Sequence, residues 1–560
     1  MPVSRFSCSS QSPGPHPRLG IRGMCRAAAV AAMFLSAALL AGPVLAAEAP
    51  LPRMVSEEGR HALLVDGKPF LILGAQVNNS SNYPSALPSV WPAVKEVGAN
   101  TLQVPIAWEQ IEPKEGQFDF SFVDHLLDQA RANNVRLIPL WFATWKNNGP
   151  NYAPAWVKLN NDRFPRVVEA KGIIRNSLSP HGKQTLAADS KAFAALMRHL
   201  KQVDPQRTVI MVQVENEVGT YGAIRDYGSD AEKLFNGPVP AELVKAMGRK
   251  PGTWANVFGK DADEFFHAWH IGRFVDAVAA AGKREYDLPL YVNAALRDPF
   301  KDQDPYTYSA GGPTWNVLDV WKAAAPHIDF LAPDIYMDGY APYTKTLEHY
   351  GRRDNALMVA EMGNKPVYAR YLFAVLGRQG IGYSPFGLDY TGYSNAPLGA
   401  AKITPETLAP FALAYRAVTP LAGLIADRSL KGKVWGGAEP EAEHAEQITL
   451  GEAPWKVELS YGLGQFGMEK PTGNPMPMGG AVVIEMGRDD YLITGMHVRV
   501  DFISTRDGRG RIYDRVEEGR FVDGAWVMDR VWNGDQTDYG LNLTDRAQVL
   551  RVKLATYPTK

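Results

Sequence analysis

Two glutamates stand at the ends of apolar, β-branched runs. Val209-Ile210-Met211-Val212 leads through Gln213-Val214-Glu215 to Asn216-Glu217-Val218-Gly219, and Leu357-Met358-Val359-Ala360 leads to Glu361-Met362-Gly363. A buried strand ending on a carboxyl presents it at a rim, so two such strands can aim two carboxyls into one cleft. That pair suits cleavage of an acetal bond: one carboxyl protonates a poor leaving oxygen while the other, ionised, attacks or stabilises an oxocarbenium-like carbon. Their surroundings must hold one neutral and the other charged. Within the first run, Gln213, Glu215 and Glu217 share one strand parity and Asn216 has the other. A bulge or a strand end is therefore needed if Asn216 and Glu217 are both to face a ligand. Glu215, deeper in the run, is expected to serve as a structural ion pair or a support for the site.

Other chemistry-bearing side chains also end strand-like runs. Tyr336 closes Phe330–Tyr336, Gln76 and Asn293 end two further runs, and Trp108 and Trp145 sit near strand ends. Hydroxyl and amide groups there could bond sugar hydroxyls, and tryptophan faces could stack on the apolar face of a sugar. Each has a plainer reading, as a turn or core residue. Trp141, Trp156 and Trp315 offer the same choice. His267 and His270 lie on an apolar helical stretch away from any strand end. There is no His-x-His at a strand end, so no catalytic metal is expected.

The elements that would position these groups recur with regularity. Strand candidates are Phe70–Val77, Thr101–Trp108, Arg136–Phe142, Thr208–Glu217, Leu288–Ala294, Phe330–Tyr336, Leu357–Met362 and Gly380–Phe386. They are near-continuous hydrophobic runs, as in a parallel sheet covered on both faces. Helical patterns lie between them, at Phe122–Asn133, Ser190–Gln202 and Glu264–Ala281 among others. Eight such units predict an α/β fold, a (β/α)8 TIM barrel, whose C-terminal face carries the strand-end residues. The alternative, a doubly wound open sheet, would put a glycine-rich nucleotide loop after the first strand, and Gly74-Ala75-Gln76-Val77-Asn78 is not one. No cofactor is expected. The Pro-, Gly- and Tyr-rich stretch Ala143–Ser179 is expected to lie over the cleft.

Beyond residue 426 the pattern changes. Short β-rich runs (Ala481–Glu485, Tyr491–Thr494, Val498–Ile503, Arg520–Val522, Trp526–Arg530) alternate with turn signals such as Asp523-Gly524 and Asn533-Gly534-Asp535. The expected division is a signal peptide over 1–47, a catalytic barrel over 48–426 and a C-terminal all-β, sandwich-like domain over 427–560. In the first segment Arg22 and Arg26 precede the apolar run Ala27–Leu40, and Val44-Leu45-Ala46-Ala47 supplies small residues for cleavage. A periplasmic or extracellular location follows, and Met1 and Met24 are both possible starts. Cys8 and Cys25 are the chain's two cysteines, so cleavage would leave none. Removing four arginines and no acid from a formal charge of −1 leaves −5. Such a balance points away from nucleic acid or a membrane surface as partner and toward a neutral substrate. Oligomeric state is not readable.

Gln213-Val214-Glu215-Asn216-Glu217-Val218-Gly219 resembles the acid/base signature of family 35 of the glycoside hydrolases, the β-galactosidases of a retaining (β/α)8 clan. Trp91, Gly98, Asn100, Trp108, Glu112, Gly116 and Phe118-Asp119-Phe120 match the same family upstream. The C-terminal part is similar to the β-domain of a bacterial subgroup. The resemblance implies Glu217 as acid/base, Glu361 as nucleophile, Asn216 on the sugar 2-hydroxyl and Tyr336 hydrogen-bonded to the nucleophile. It implies a retaining exo-β-glycosidase acting on a carbohydrate with terminal β-linked galactose. The alternatives are another glycone or a non-catalytic carbohydrate-binding protein. Two departures stand out. The family's Cys-Ala-Glu after the third strand is replaced by Phe142-Ala143-Thr144-Trp145-Lys146, without an acid, and its His-Tyr after the first strand by Asn78-Asn79.

Overall fold

Each of the eight apolar runs forms a strand, and together they close a ring. The computed structural model describes residues 49–464, 469–522 and 524–560. The expected signal peptide, with both cysteines, and Asp523 lie outside the described residues. The barrel strands, in order, are Ile72–Gln76, Thr101–Ala107, Arg136–Lys146, Val212–Asn216, Leu290–Ala295, Phe330–Ile335, the split strand Met358–Val359 and Glu361–Met362, and Gly382–Tyr383. All neighbours pair in parallel. The seventh strand closes the circle by using its two halves separately: Glu361–Met362 pairs with the sixth strand, while Met358–Val359 pairs with the eighth. The eighth in turn pairs with the first. Close approach at this seam needs glycine. A Cβ on Gly74 would lie 2.6 Å from the Ser384 hydroxyl, and one on Gly382 would lie 2.9 Å from the Ile72 Cβ.

Apolar side chains fill both layers. Ile72, Ile138, Leu140, Met211, Phe330, Met358 and Ile381 pack together in one buried cluster with Leu63 and Val65. The latter two come from an antiparallel three-stranded sheet that precedes the barrel (Arg53–Glu57, Arg60–Val65, Lys68–Phe70). The outward faces of the strands pack under helices such as Ser121–Ala132, Lys183–Val203 and Ala262–Glu285, which match the three helical patterns of the sequence.

The chain past the barrel folds as two antiparallel sheets, six- and four-stranded. Trp455, Leu459, Val483, Ile493, Val500, Phe502 and Val552 form the core between them, as in a sandwich. Helix Ala422–Leu430 runs across position 426, and the first sandwich strand is Val434–Ala438. The sandwich also packs on the barrel's helices: Val482, Ile484 and Leu492 belong to the same buried cluster as Phe373 and Leu421. The Thr494 hydroxyl donates to the Ala417 carbonyl at 3.1 Å.

Candidate active site

The fourth strand delivers its carboxyl through an irregular end. Glu215 and Glu217 both adopt left-handed backbone conformations (φ 61° and 46°) on either side of Asn216. Such conformations cost about 1–2 kcal/mol each for a residue with a Cβ, and they break the strict alternation that would oppose Asn216 to Glu217. The neighbouring third strand is irregular at the same level. Leu140 pairs with Gln213 and Trp141 with Val214, but the next pairing is Lys146 with Asn216. Phe142 to Trp145 therefore bulge out opposite Glu215 alone. The bulge is anchored by carboxyls: the Trp145 amide donates to Glu215 at 2.7 Å. Asp189 accepts the Trp141 indole at 2.9 Å and also the Thr144 hydroxyl. Asp189 and Glu215 are both fully buried side by side, and burial pushes each carboxyl upward from its ordinary range. Glu215 thus supports the site by holding the bulge beside a second buried carboxyl, and among the described residues it makes no ion pair.

Carboxylate oxygens of Glu217, Asp334 and Glu361 lie within 4.8 Å of one another at the C-terminal ends of the fourth, sixth and seventh strands. Glu361, 4% exposed, accepts a 2.6 Å hydrogen bond from the Gln76 amide and another from the Tyr336 hydroxyl. Burial and the Glu361 charge push the Tyr336 phenol well up, so it stays a donor. Glu217 is pushed up to about 7 by burial, with the Lys146 ammonium opposing and the Glu361 charge reinforcing the shift. Asp334 is driven well above its ordinary range, first by burial and then by the charges of Glu361 and Glu217. Asn293 ties the group together: its Nδ2 donates to Asp334 at 2.6 Å and its Oδ1 accepts the Glu217 backbone amide at 2.9 Å. The two glutamates thus sit in different surroundings: burial pushes the Glu217 carboxyl upward toward its protonated form, while the two Glu361 oxygens each accept a hydrogen bond.

These side chains line a cavity of about 490 Å³ together with Lys146, Asn79, Tyr221, Phe386 and Tyr393. A second groove of about 640 Å³ shares Asn79 and Tyr393 with it and is lined by Asn78, Ser81, Ser85 and Tyr152, without a charged residue. Of the residues the sequence pointed to, Glu217, Glu361 and Tyr336 line the cavity, while Gln76 and Asn293 reach it through the two glutamates. Asn216 is fully buried, and its amide atoms have no hydrogen-bond partner among the described residues.

The two favoured tryptophans are a correction. Trp108 is fully buried, donates to Glu112 at 2.9 Å and meets Trp156 edge-on. Trp145 is 1% exposed and packs edge-on against Phe274. Neither has a face free to stack on a sugar. Besides Tyr336, the aromatic rings facing the cavity are Tyr221, Phe386 and Tyr393, which come from loops and a strand end. Asp334 and Lys146 were also missed, although both end apolar runs just as Glu217 and Glu361 do.

A metal would find only the three carboxyls among the described residues. Gln76, Tyr336 and Asn293 already direct donors at two of them, which opposes a cation there. His267 belongs to the protein's interior: its Nε2 lies 3.0 Å from the Thr220 hydroxyl, and burial pushes the ring down to about 3. His270 packs against His181 and Phe266.

Comparison with known proteins adds sequence likeness to this geometry. Residues 88–269 match a glycoside hydrolase family 42 model described as β-galactosidase. The β-galactosidase of Pongo abelii is 30% identical over 226 residues, 38% of this chain and 30% of that protein. That of Xanthomonas manihotis is 29% identical over 194 residues, 32% of this chain and 29% of that one. The chain thus matches about three tenths of the length of these curated relatives. A solved β-galactosidase from Bacillus circulans sp. alkalophilus superposes with a TM-score of 0.47 at 15% identity, covering 64% of this chain and 57% of that one. Residues 411–544 match a family described as a domain of unknown function, DUF5597. The chain is therefore similar to β-galactosidases across the first half of its barrel, and to a domain without an assigned role across most of its β-sandwich.

Proposed function

We propose that this protein is a retaining exo-β-glycosidase of the family 35 kind, with β-galactosides as its substrates. The observation that carries this reading is the close approach of Glu217 and Glu361. Carboxyls about 5 Å apart suit double displacement, whereas inverting enzymes leave about 6.5–9.5 Å for a water.

In the first step a Glu361 oxygen attacks the anomeric carbon from one face. The bond to the leaving oxygen breaks, and the Glu217 proton goes to that oxygen. The Tyr336 hydroxyl and Gln76 amide hold the attacking carboxylate in place. In the second step Glu217, now ionised, takes a proton from water as the water oxygen displaces Glu361 from the sugar. The sugar leaves with its original configuration and both glutamates return to their starting states. Asn216, buried with an unsatisfied amide, is suited to a sugar hydroxyl beside the reacting carbon. The neutral groove beyond Asn79 and Tyr393 offers amides and hydroxyls to the rest of an oligosaccharide. An exported location, from the N-terminal segment, is part of the same reading.

A panel of nitrophenyl β-glycosides tests it, with the anomer of the first product followed by NMR. Turnover of the galactoside with release of the β-anomer is expected. An α-anomer as first product, or a panel with no turnover at all, defeats the proposal. A non-catalytic sugar-binding protein would bind a 2-fluoro galactoside without forming the covalent adduct expected on Glu361.

A further inference from the structure

Lys146 is a buried cation that the mechanism above leaves unemployed. It ends the third strand, is 5% exposed and lines the catalytic cavity. Its ammonium can donate three hydrogen bonds. Among the described residues Nζ makes one, to the Asn147 side chain, and no carboxylate lies within ion-pairing distance of it. The Phe142 ring covers it from one side, 5.1 Å from Nζ. Burying an ammonium is costly unless its protons are matched.

The backbone makes this placement deliberate. Lys146 and Gly149 exchange hydrogen bonds of 2.9 and 3.2 Å. Asn147 and Asn148 between them are both left-handed (φ 50° and 69°), the φ pattern of a type I′ turn, which asparagine tolerates. Asn148 then fixes the turn to the acid/base: its Nδ2 donates to the Glu217 carbonyl at 3.3 Å, and its own carbonyl accepts the Ser177 hydroxyl. Bulge and turn together hold the lysine at the level of Glu217 while leaving its head group open to the cavity.

We propose that Lys146 is a specificity-determining residue, whose ammonium donates hydrogen bonds to ring hydroxyl oxygens of the glycone in the catalytic cavity. The inference rests on the glycosidase reading and deepens it. A lysine can only donate, where an acid at this rim could only accept, so the sugar groups it meets must act as acceptors. Four carboxyls line the cavity with it (Glu217, Asp298, Asp334 and Glu361), so an anionic glycone is disfavoured. The other titratable groups facing the same space are Tyr221, Tyr336, Tyr393 and Arg297. The lysine's charge also reaches Glu217 and Asp334, opposing the upward push on both.

The test couples enzyme and substrate changes. Lys146→Met is expected to lower kcat/KM on the preferred β-glycoside on the order of 10–100-fold, mostly through KM, as one or two lost charged hydrogen bonds imply. Monodeoxy galactosides identify the acceptor. The wild type should lose rate on the analogue lacking the contacted hydroxyl, and Lys146→Met should show no additional loss on it. Removing the charge also frees Glu217 to keep its proton longer, so the alkaline limb of kcat/KM should move to higher pH. Lys146→Arg should hold that limb in place while KM still rises, and it serves as the folding control. Equal losses on every deoxy analogue together with an unmoved alkaline limb would overturn the proposal, as would a preference for β-galacturonide over β-galactoside. Failure of the wild type on the whole glycoside panel would instead strike the glycosidase reading itself.

Discussion

The Gln76 amide donates a 2.6 Å hydrogen bond to the Glu361 carboxylate across the seam where the barrel closes. Gln76 ends the first strand and Glu361 lies in the seventh, and only the short eighth strand stands between them. A contact between such distant parts of the chain exists because the ring closes. The proposed nucleophile is therefore oriented by the same feature that completes the fold. Gln76→Ala removes this donor while leaving Tyr336 in place. A 10- to 100-fold fall in kcat is expected on the order of one charged hydrogen bond, with little change in far-UV circular dichroism. Unchanged kcat would show that Tyr336 alone orients the carboxylate.

Replacing the proposed nucleophile is more severe. Glu361→Ala should abolish nearly all turnover while the protein still binds galactoside ligands, measured by calorimetry. Near-normal rates would remove Glu361 from the role.

Glu217→Ala should cost on the order of 10²–10⁴-fold, and the loss should depend on the leaving group. Dinitrophenyl glycosides need little protonation and should be cleaved with a much smaller deficit in the first step than alkyl glycosides. A uniform loss across leaving groups would argue that Glu217 does not deliver the proton.

The raised affinity of Glu217 for its proton has two consequences of definite sign. The first step needs the protonated form, so kcat/KM should fall as pH rises through about 7. Stability responds to the same group. The folded protein holds this proton up to about 7 while the unfolded chain releases it near 4.5. Between those values the unfolded state binds fewer protons, and stability declines with rising pH. Glu217→Gln lifts that penalty, so its melting temperature should exceed the wild type's at pH 8 and match it at pH 4. The gain is on the order of 3 kcal/mol. Equal melting temperatures at pH 8 would place Glu217 in a far more solvated setting than the cavity provides.

Asn293 joins Glu217 to Asp334 through two hydrogen bonds. Asn293→Ala leaves a buried amide and a buried carboxyl without their partner, at a cost of about 1–3 kcal/mol. It should lower kcat more than it raises KM, because it shifts the proposed acid/base rather than a sugar contact. A thermal melt and a kcat/KM split on one galactoside measure both effects.

The barrel was legible because its signal is local. Eight apolar runs with helical patterns between them need only neighbouring residues to declare themselves, and a carboxyl at the end of such a run is visible in the same way. That is why Glu217, Glu361 and Tyr336 could be placed at strand ends from sequence, along with the order of the eight strands, although the third runs on to Lys146 and the fourth begins only at Val212. Several strands of the sandwich, such as Val434–Ala438 and Val549–Pro558, went unnamed.

What the amino-acid order alone determined is the ring of strands and the pair of acids that its rim presents. What the tertiary structure decided is which other side chains share their space. Trp108 begins a short helix, Trp108–Ile111, and turns inward, while Trp145 lies within a bulge that carries it onto Phe274. Asp334 and Lys146 enter the cavity because the sixth strand adjoins the seventh and because that bulge brings Lys146 level with Asn216. Side-chain direction at a strand end depends on register against neighbours far away in the chain, and no local pattern of residues encodes it.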